Sequence, residues 1–311
     1  MSQITATATN TEAALAQLAK HGKTFNWARR LLGTQTGNAA AQLYAFCRHV
    51  DDIADGDKPG GEPLLARIAA CLQDSGPPPD DETAQFMALA TQHDISLAAA
   101  DSLLKGLLFD QDEVALQDDA ALLAYAYRVA GTVGLMMAPV LRCADRRAHA
   151  HAIDLGIAMQ LTNIARDVAE DAAMGRRYVP ANWCGDVSAD NILSSVHETE
   201  IGRAEMQAAI CRLLDLADTY YASGFQGFAA LPLRAHLSMA VAGYCYRQIG
   251  VVLRRRDCAY WRGRVVIGPL GKLMASLLSL RTLTTRLKPL PAHQLHLHTA
   301  ILGELHEPRT G

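Results

Sequence analysis

Apolar residues recur three and four positions apart along almost the whole chain, in 12–20, 39–54, 62–73, 83–92, 96–108, 119–142, 148–173, 198–222, 233–256 and 271–287. That spacing gathers them on one face of an α-helix, so a helix is predicted in each window. Alternation at period two is almost absent; "RVVIG" at 264–268 is the one short β-branched run, flanked by glycine. Breakers separate the windows: "GDKPGGEP" at 56–63, "DSGPPPDD" at 74–81, "GRRYVP" at 175–180 and "LKPLPAH" at 287–293. No composition shift or fixed-period repeat divides the chain. The pattern predicts one all-α domain over 1–311, with residues 1–10 and 290–311 loosely held.

Two windows set carboxylates among hydrophobes. In "YAFCRHVDDIAD" (44–55), Tyr44, Arg48, Asp51 and Asp55 follow one another at four, three and four, making one stripe. Taken alone, this could be a solvated face ending at Gly56. In "GIAMQLTNIARDVAEDAAMGRRYVP" (156–180), Gln160, Asn163, Asp167 and Asp171 make a second stripe, bordered by Met159, Leu161, Ile164 and Val168. Carboxylates so close to an apolar border need partners. Two such stripes across a cavity suit Mg²⁺, a hard cation that joins one or two carboxylates to substrate phosphate oxygens. Arg48, Arg166, Arg176 and Arg177 lie nearby in sequence as further phosphate contacts. "VAGTVGLMMAPVL" (129–141) is uncharged and carries Gly131 and Gly134. It fits either ordinary helix packing or the wall of a hydrocarbon tunnel.

Bulk properties narrow the field. The chain of 311 residues is 50% apolar with a formal net charge of −3, so no global basic field invites nucleic acid. Seven scattered cysteines, none in C-x-x-C, predict a reducing compartment without a disulfide framework or a cysteine zinc site. "MSQITATATN" lacks the basic and apolar regions of a signal peptide, and no long uncharged apolar run predicts a membrane span. The expectation is a cytoplasmic protein. A peripheral contact on the inner face of the membrane would come from the basic, leucine-rich segment 271–290, read as a single amphipathic helix.

Taken together, the motifs resemble the squalene/phytoene synthase family of head-to-head prenyltransferases over roughly residues 15–290. The two aspartate stripes, "HGKTF" (21–25), "YAYRVAGTVGLMM" (125–137), "LPLR" (231–234) and "YRQIG" (246–250) carry the resemblance, most closely to the bacterial phytoene synthases. It implies an all-α isoprenoid-synthase fold, a helical bundle around a central cavity. It also implies Mg²⁺-dependent condensation of two geranylgeranyl diphosphates to phytoene through a cyclopropylcarbinyl diphosphate, with Mn²⁺ as an alternative ion and no NADPH. Asp51, Asp55, Asn163, Asp167 and Asp171 match its metal and diphosphate positions. His21, Lys23, Thr24, Tyr44, Arg48, Gln160, Arg166 and Tyr246 match substrate contacts, Arg264 and Lys272 match more loosely, and Tyr127 matches a pocket tyrosine near the cation. His21 equally suits a surface position before a helix, and Tyr246 suits core packing.

Four other readings compete. A squalene- or dehydrosqualene-type synthase would use farnesyl diphosphate, and chain length is set by tunnel depth. A class I terpene cyclase expects Asn-x-x-x-Ser/Thr-x-x-x-Glu where this chain has Asn163, Asp167 and Asp171. A head-to-tail prenyltransferase expects a second D-D-x-x-D. An inactive helical assembly factor has no need of both aspartate pairs.

Overall fold

The computed structural model describes residues 12–20, 22–111, 113–197 and 202–305. Helix α1 covers 12–20 and α2 covers Lys23–Arg29. The first long helix is α3, Thr34–Ala54, followed by α4 (Gly61–Leu72), α5 (Asp81–His93) and α6 (Leu97–Phe109). Helices α7 (Asp119–Ala126) and α8 (Thr132–Val140) are joined by a π-turn, Tyr127–Gly131. Then come α9 (Ala148–Ala173), α10 (Ala181–Cys184), α11 (Ala189–His197), α12 (Arg203–Gln226), α13 (Leu233–Arg255) and α14 (Pro269–Ser279). Among the described residues there is no strand; "RVVIG" runs without regular structure.

The breakers act as the local chemistry requires. Asp80 caps α5 through the Thr83 amide (2.7 Å), Ser96 caps α6 through Ala99 (3.2 Å), and Asp118 caps α7 through Ala121 (2.9 Å). Helix α9 is apolar on most of its circumference, with Ile153, Ile157, Leu161, Ile164 and Val168 buried, so neighbours must surround it. It packs against α8, the π-turn, α11, α12 and α13. Two glycines permit the closest approach. A Cβ on Gly134 would lie 2.1 Å from the Ala152 carbonyl oxygen, and one on Gly156 would lie 2.2 Å from that of Ala130. The run Asp119–Val140 is long and apolar enough to cross a membrane by composition. Here it is the helix pair that α9 locks into the core.

Several expectations are corrected. The segment 271–287 is not one helix: α14 ends at Ser279 and a 3₁₀ stretch, Leu280–Leu287, follows. The hydroxyls of Ser279, Thr282 and Thr285 each donate to the carbonyl three residues back (2.7 Å), which tightens the turn. Its buried face is made of the small residues Ala275, Ser279 and Thr282, while Leu273, Met274, Leu277 and Leu280 point outward. Cys211 and Cys258 form a disulfide, against the expectation of none. Helix α13 folds back beside α12 and brings the residues after its end next to the first turns of α12, a pairing that sequence spacing does not display. Residues 290–305, expected to be loose, hold a 3₁₀ turn, Leu295–Ile301. Leu297 and Ile301 are buried there, and the Leu297 carbonyl accepts from Tyr220 Oη (2.7 Å).

Candidate active site

Helix α3 delivers the first stripe and stops where it is needed: Asp55 is its C-cap, and Gly56 takes φ +78° immediately after. Arg48 neutralises the stripe from within, reaching Asp51 at 2.7 Å and Asp52 at 2.5 Å. On α9, Asn163 Nδ2 donates to Gln160 Oε1 at 3.3 Å. The helix is kinked at Asp167 (φ −103°, ψ 15°), which turns its last six residues relative to the rest. The Asp167 carboxylate is held by Arg166 and by Arg264, each with Nε 2.7 Å from Oδ1. Arg176 lies 3.5 Å from Asp55 and so spans the two stripes.

Both helices line one cavity of about 370 Å³. Arg48, Asp51 and Tyr44 come from α3, and Gln160, Asn163 and Met159 from α9. Asp110, Tyr125, Val129, Val133 and Met137 are also in its wall, and Phe25, Met239 and Tyr246 complete it from α2 and α13. Phe25 sits between two tyrosines, its ring centre 6.4 Å from that of Tyr44 and 5.4 Å from that of Tyr246. The polar groups are at one end. At the other, two smaller apolar pockets of about 50 and 80 Å³ share Met137 and Met239 with the main cavity.

The carboxyl groups are out of electrostatic balance. Burial and then the neighbouring Asp55 push Asp51 up to about 6. Burial and then Asp167 push Asp171 up to about 8. Asp167 behaves oppositely: burial raises it, but Arg166 and Arg264 hold it below the usual carboxylate range. Burial lifts Asp110 to about 6 although the hydroxyls of Tyr125 and Tyr178 both donate to it at 2.8 Å. Such uncompensated acids are what a cation would correct. Asn163 Oδ1 supports this independently, being buried with no hydrogen-bond partner. The available donors (Asp51, Asp55, Asp171 and Asn163) are all hard oxygens and fit a divalent cation of the magnesium type. Asp167, engaged by two arginines, is the least available.

Of the residues expected from sequence, Tyr44, Arg48, Asp51, Gln160, Asn163 and Tyr246 line the cavity. Asp55, Asp167, Asp171 and Arg166 ring its polar end. His21 lies outside the described residues. Lys23 and Thr24 are on α2 but not in the wall, where Phe25 takes their place. Lys272 is half-buried on α14, away from the wall, and Arg264 arrives by pairing with Asp167. Two readings are corrected. Tyr127 is fully buried at the first position of the π-turn and is not in the cavity wall, whereas Tyr125, in the last turn of α7, is. Arg177 is no phosphate contact, because its guanidinium is buried on the carbonyls of Leu116 (3.0 Å) and Val179 (2.7 Å) and on Asp186 (3.0 Å). Asp110 was missed. Its one signal was a lone acid closing the apolar helix "LLKGLLFD".

An all-helical bundle around an apolar cavity, with aspartate stripes from two helices at one end, is the isoprenoid-synthase architecture. Solved structures agree on the fold. A dehydrosqualene synthase superposes with a TM-score of 0.77 at 22% identity, covering 90% of this chain and 99% of that one. A squalene synthase from Alicyclobacillus acidocaldarius gives 0.68 at 19% identity, covering 81% and 96%. The family model for squalene/phytoene synthase matches residues 18–270. The 15-cis-phytoene synthase of Paracoccus sp. is 36% identical over 279 residues, 85% of this chain and 88% of that protein. That of Pantoea ananas is 33% identical over 298 residues, 91% and 96%. The chain belongs to the squalene/phytoene synthase family.

Proposed function

We propose that this chain joins two geranylgeranyl diphosphates head to head to form phytoene, with Mg²⁺ as its ion. The observation that carries the reading is the single cavity that is acidic at one end and apolar and branched at the other. Asp51, Asp55, Asn163 and Asp171 would hold the ions. When bound, Mg²⁺ supplies the positive charge that neutralises a diphosphate and favours its departure. Arg48, Arg166, Arg176 and Arg264 are already gathered at the same end and bind the phosphate oxygens that the ions leave free. The Tyr44 hydroxyl, pushed up to about 12 by burial, stays protonated and donates. The rings of Phe25, Tyr125 and Tyr246 present π-faces to the allylic cation, and the apolar walls keep water from quenching it. Two diphosphates and two protons leave as the C40 chain forms, a balance that needs no reductant. The relatives that are 33–36% identical carry the phytoene synthase name, which supports C20 over C15 substrates.

The test is incubation of the protein with geranylgeranyl or farnesyl diphosphate and Mg²⁺, with and without NADPH, followed by mass analysis of the hydrocarbons. Phytoene from geranylgeranyl diphosphate alone is the expected result. Product from farnesyl diphosphate only, or stalled at the cyclopropyl stage until NADPH is added, would overturn it in favour of squalene-type synthesis.

The outward leucines of α14 support a peripheral membrane contact for releasing so apolar a product. Val266 and Leu270 are 80% and 79% exposed, and Leu273, Met274 and Leu277 continue the patch. Trp27 of α2 adjoins it, donating to Ser276 Oγ at 3.2 Å. The apolar pocket lined by Phe25, Ala28 and Leu32 lies beneath the same helix α2. Arg281 and Lys288 flank the patch in water, where they can meet anionic headgroups.

A further inference from the structure

Five of the chain's histidines fall in "HAHA" (149–152) and "HQLHLH" (293–298), segments remote in sequence. The fold joins them. Asp154, fully buried on α9, receives His293 Nε2 on Oδ2 at 2.7 Å and His298 Nε2 on Oδ1 at 2.8 Å. Ser223 Oγ, from α12, also donates to Asp154 Oδ2, at 2.5 Å. The same Ser223 oxygen is 3.0 Å from His151 Nδ1. A hydroxyl has one proton, and here it goes to the carboxylate, so the Ser223 oxygen accepts from His151 Nδ1–H. His151 Nε2 is then a bare lone pair. It is buried and has no hydrogen-bond partner, in a side chain only 2% exposed. The Pro291 carbonyl nearby affects the ring without making a properly aligned bond.

We propose that His151, Asp154 and His293 form a site for one borderline transition-metal cation of the zinc class, stapling the segment after Pro289 to α9. Their ligand atoms already lie within 4.8 Å of one another. Tetrahedral zinc with bonds of about 2.0–2.1 Å places its ligands roughly 3.4 Å apart, so closure needs shifts of about 1.5 Å or less. Two imidazoles and one carboxylate select zinc, cobalt or nickel over magnesium, which prefers oxygen alone. On binding, the cation takes the place of the Nε2 proton that His293 now gives to Asp154, and that proton is released to solvent. His298 orients the carboxylate through its other oxygen. Asp154 precedes Asp167 by thirteen residues on α9, roughly 20 Å at 1.5 Å per residue, so this is not the diphosphate end. The proposal does not depend on the prenyl-transfer reading.

The experiment is Co²⁺ titration of the chelator-stripped full-length protein in excess Mg²⁺, read by visible absorption, with competition by Zn²⁺. One equivalent of Co²⁺ is expected to give an intense tetrahedral band that Zn²⁺ removes. The band should persist in Asp51→Asn/Asp171→Asn and vanish in His151→Ala and in His293→Gln. His298→Ala should weaken binding about 10–100-fold. Circular dichroism checks that each variant is folded. If His151→Ala does not fold, His293→Gln on the peripheral segment decides alone. No band in the wild type, or an equal band in His293→Gln, would overturn the site and leave a hydrogen-bonded network only.

Discussion

At the scale of single residues, Asp51 and Asp171 carry the opposing demands on this molecule. Both are ordinary aspartates in sequence, but the fold half-buries them and lifts their carboxyls to about 6 and about 8. A carboxyl with a raised folded-state value contributes stability at low pH and loses it as pH rises through that value. The metal-free protein should therefore weaken from about pH 4 upward, through Asp51 and then Asp171. Divalent metal should restore more stability at about pH 8 than at about pH 5.5, where protons already occupy the site. Thermal melts with and without Mg²⁺ at the two pH values measure this, and an equal rise at both would contradict it. Asp171→Asn should raise the melting temperature of the metal-free protein at the higher pH. The same change should cost about 10²-fold or more in turnover, as should Asp51→Asn. The two stripes were legible in sequence because spacing at three and four is a direct reading of helix geometry. Asp110 was not, since a lone acid at a helix end is ordinary until Tyr125, Tyr178 and the cavity surround it. Tyr127 was expected in the pocket and is packed outside its wall, because which face of a helix meets a cavity is a tertiary fact.

At the scale of elements, the contact between the π-turn–α8 segment and α9 sets the shape of the cavity wall. Gly134 and Gly156 let two backbones meet where no Cβ fits. Gly134→Ala and Gly156→Ala are each expected to destabilise the protein by about 1–3 kcal/mol or more through overpacking, measured by urea denaturation. The glycines were visible in sequence, but whether they marked a break or a close approach was not, and here the π-turn and the close approach coexist. Helix α14 taught the reverse lesson. Its amphipathic pattern was read correctly as a pattern, yet the leucine side faces outward and the small side faces the core. Periodicity reveals two faces without saying which is inside. Leu273→Glu/Leu277→Glu should reduce cosedimentation with anionic vesicles several-fold, while Arg281→Glu should do so only where the lipid is anionic. Equal partitioning of all three proteins would remove this helix as the contact.

At the scale of the whole molecule, the helical bundle was legible almost throughout, because most of its windows and breakers obey local rules that need no partner. The cavity was legible only as a requirement: buried carboxylates needed something to face. Met137 and Met239 line the main volume and both apolar side pockets. Methionine yields readily, so these two are placed to open or close the branches. Met239→Trp is expected to shift preference from C20 toward C15 diphosphates by at least about tenfold in relative kcat/KM. Competition between the two substrates in one reaction measures it, and an unchanged ratio would show that depth is set elsewhere.

The pairing of Arg128, in the π-turn, with Glu304 has a consequence for synthesis on the ribosome. Arg128 Nε reaches Glu304 Oε2 at 3.0 Å, across 176 positions of sequence. Domains generally begin to fold as the chain emerges, and the helices up to α9 are available early. The turn that shapes one wall of the cavity nevertheless waits for a carboxylate 176 positions further along. A nascent chain halted before residue 304 would have its acidic stripes facing each other across an unbraced wall. Completion of the cavity is thus timed to the emergence of residue 304, after every residue that lines it has already been made.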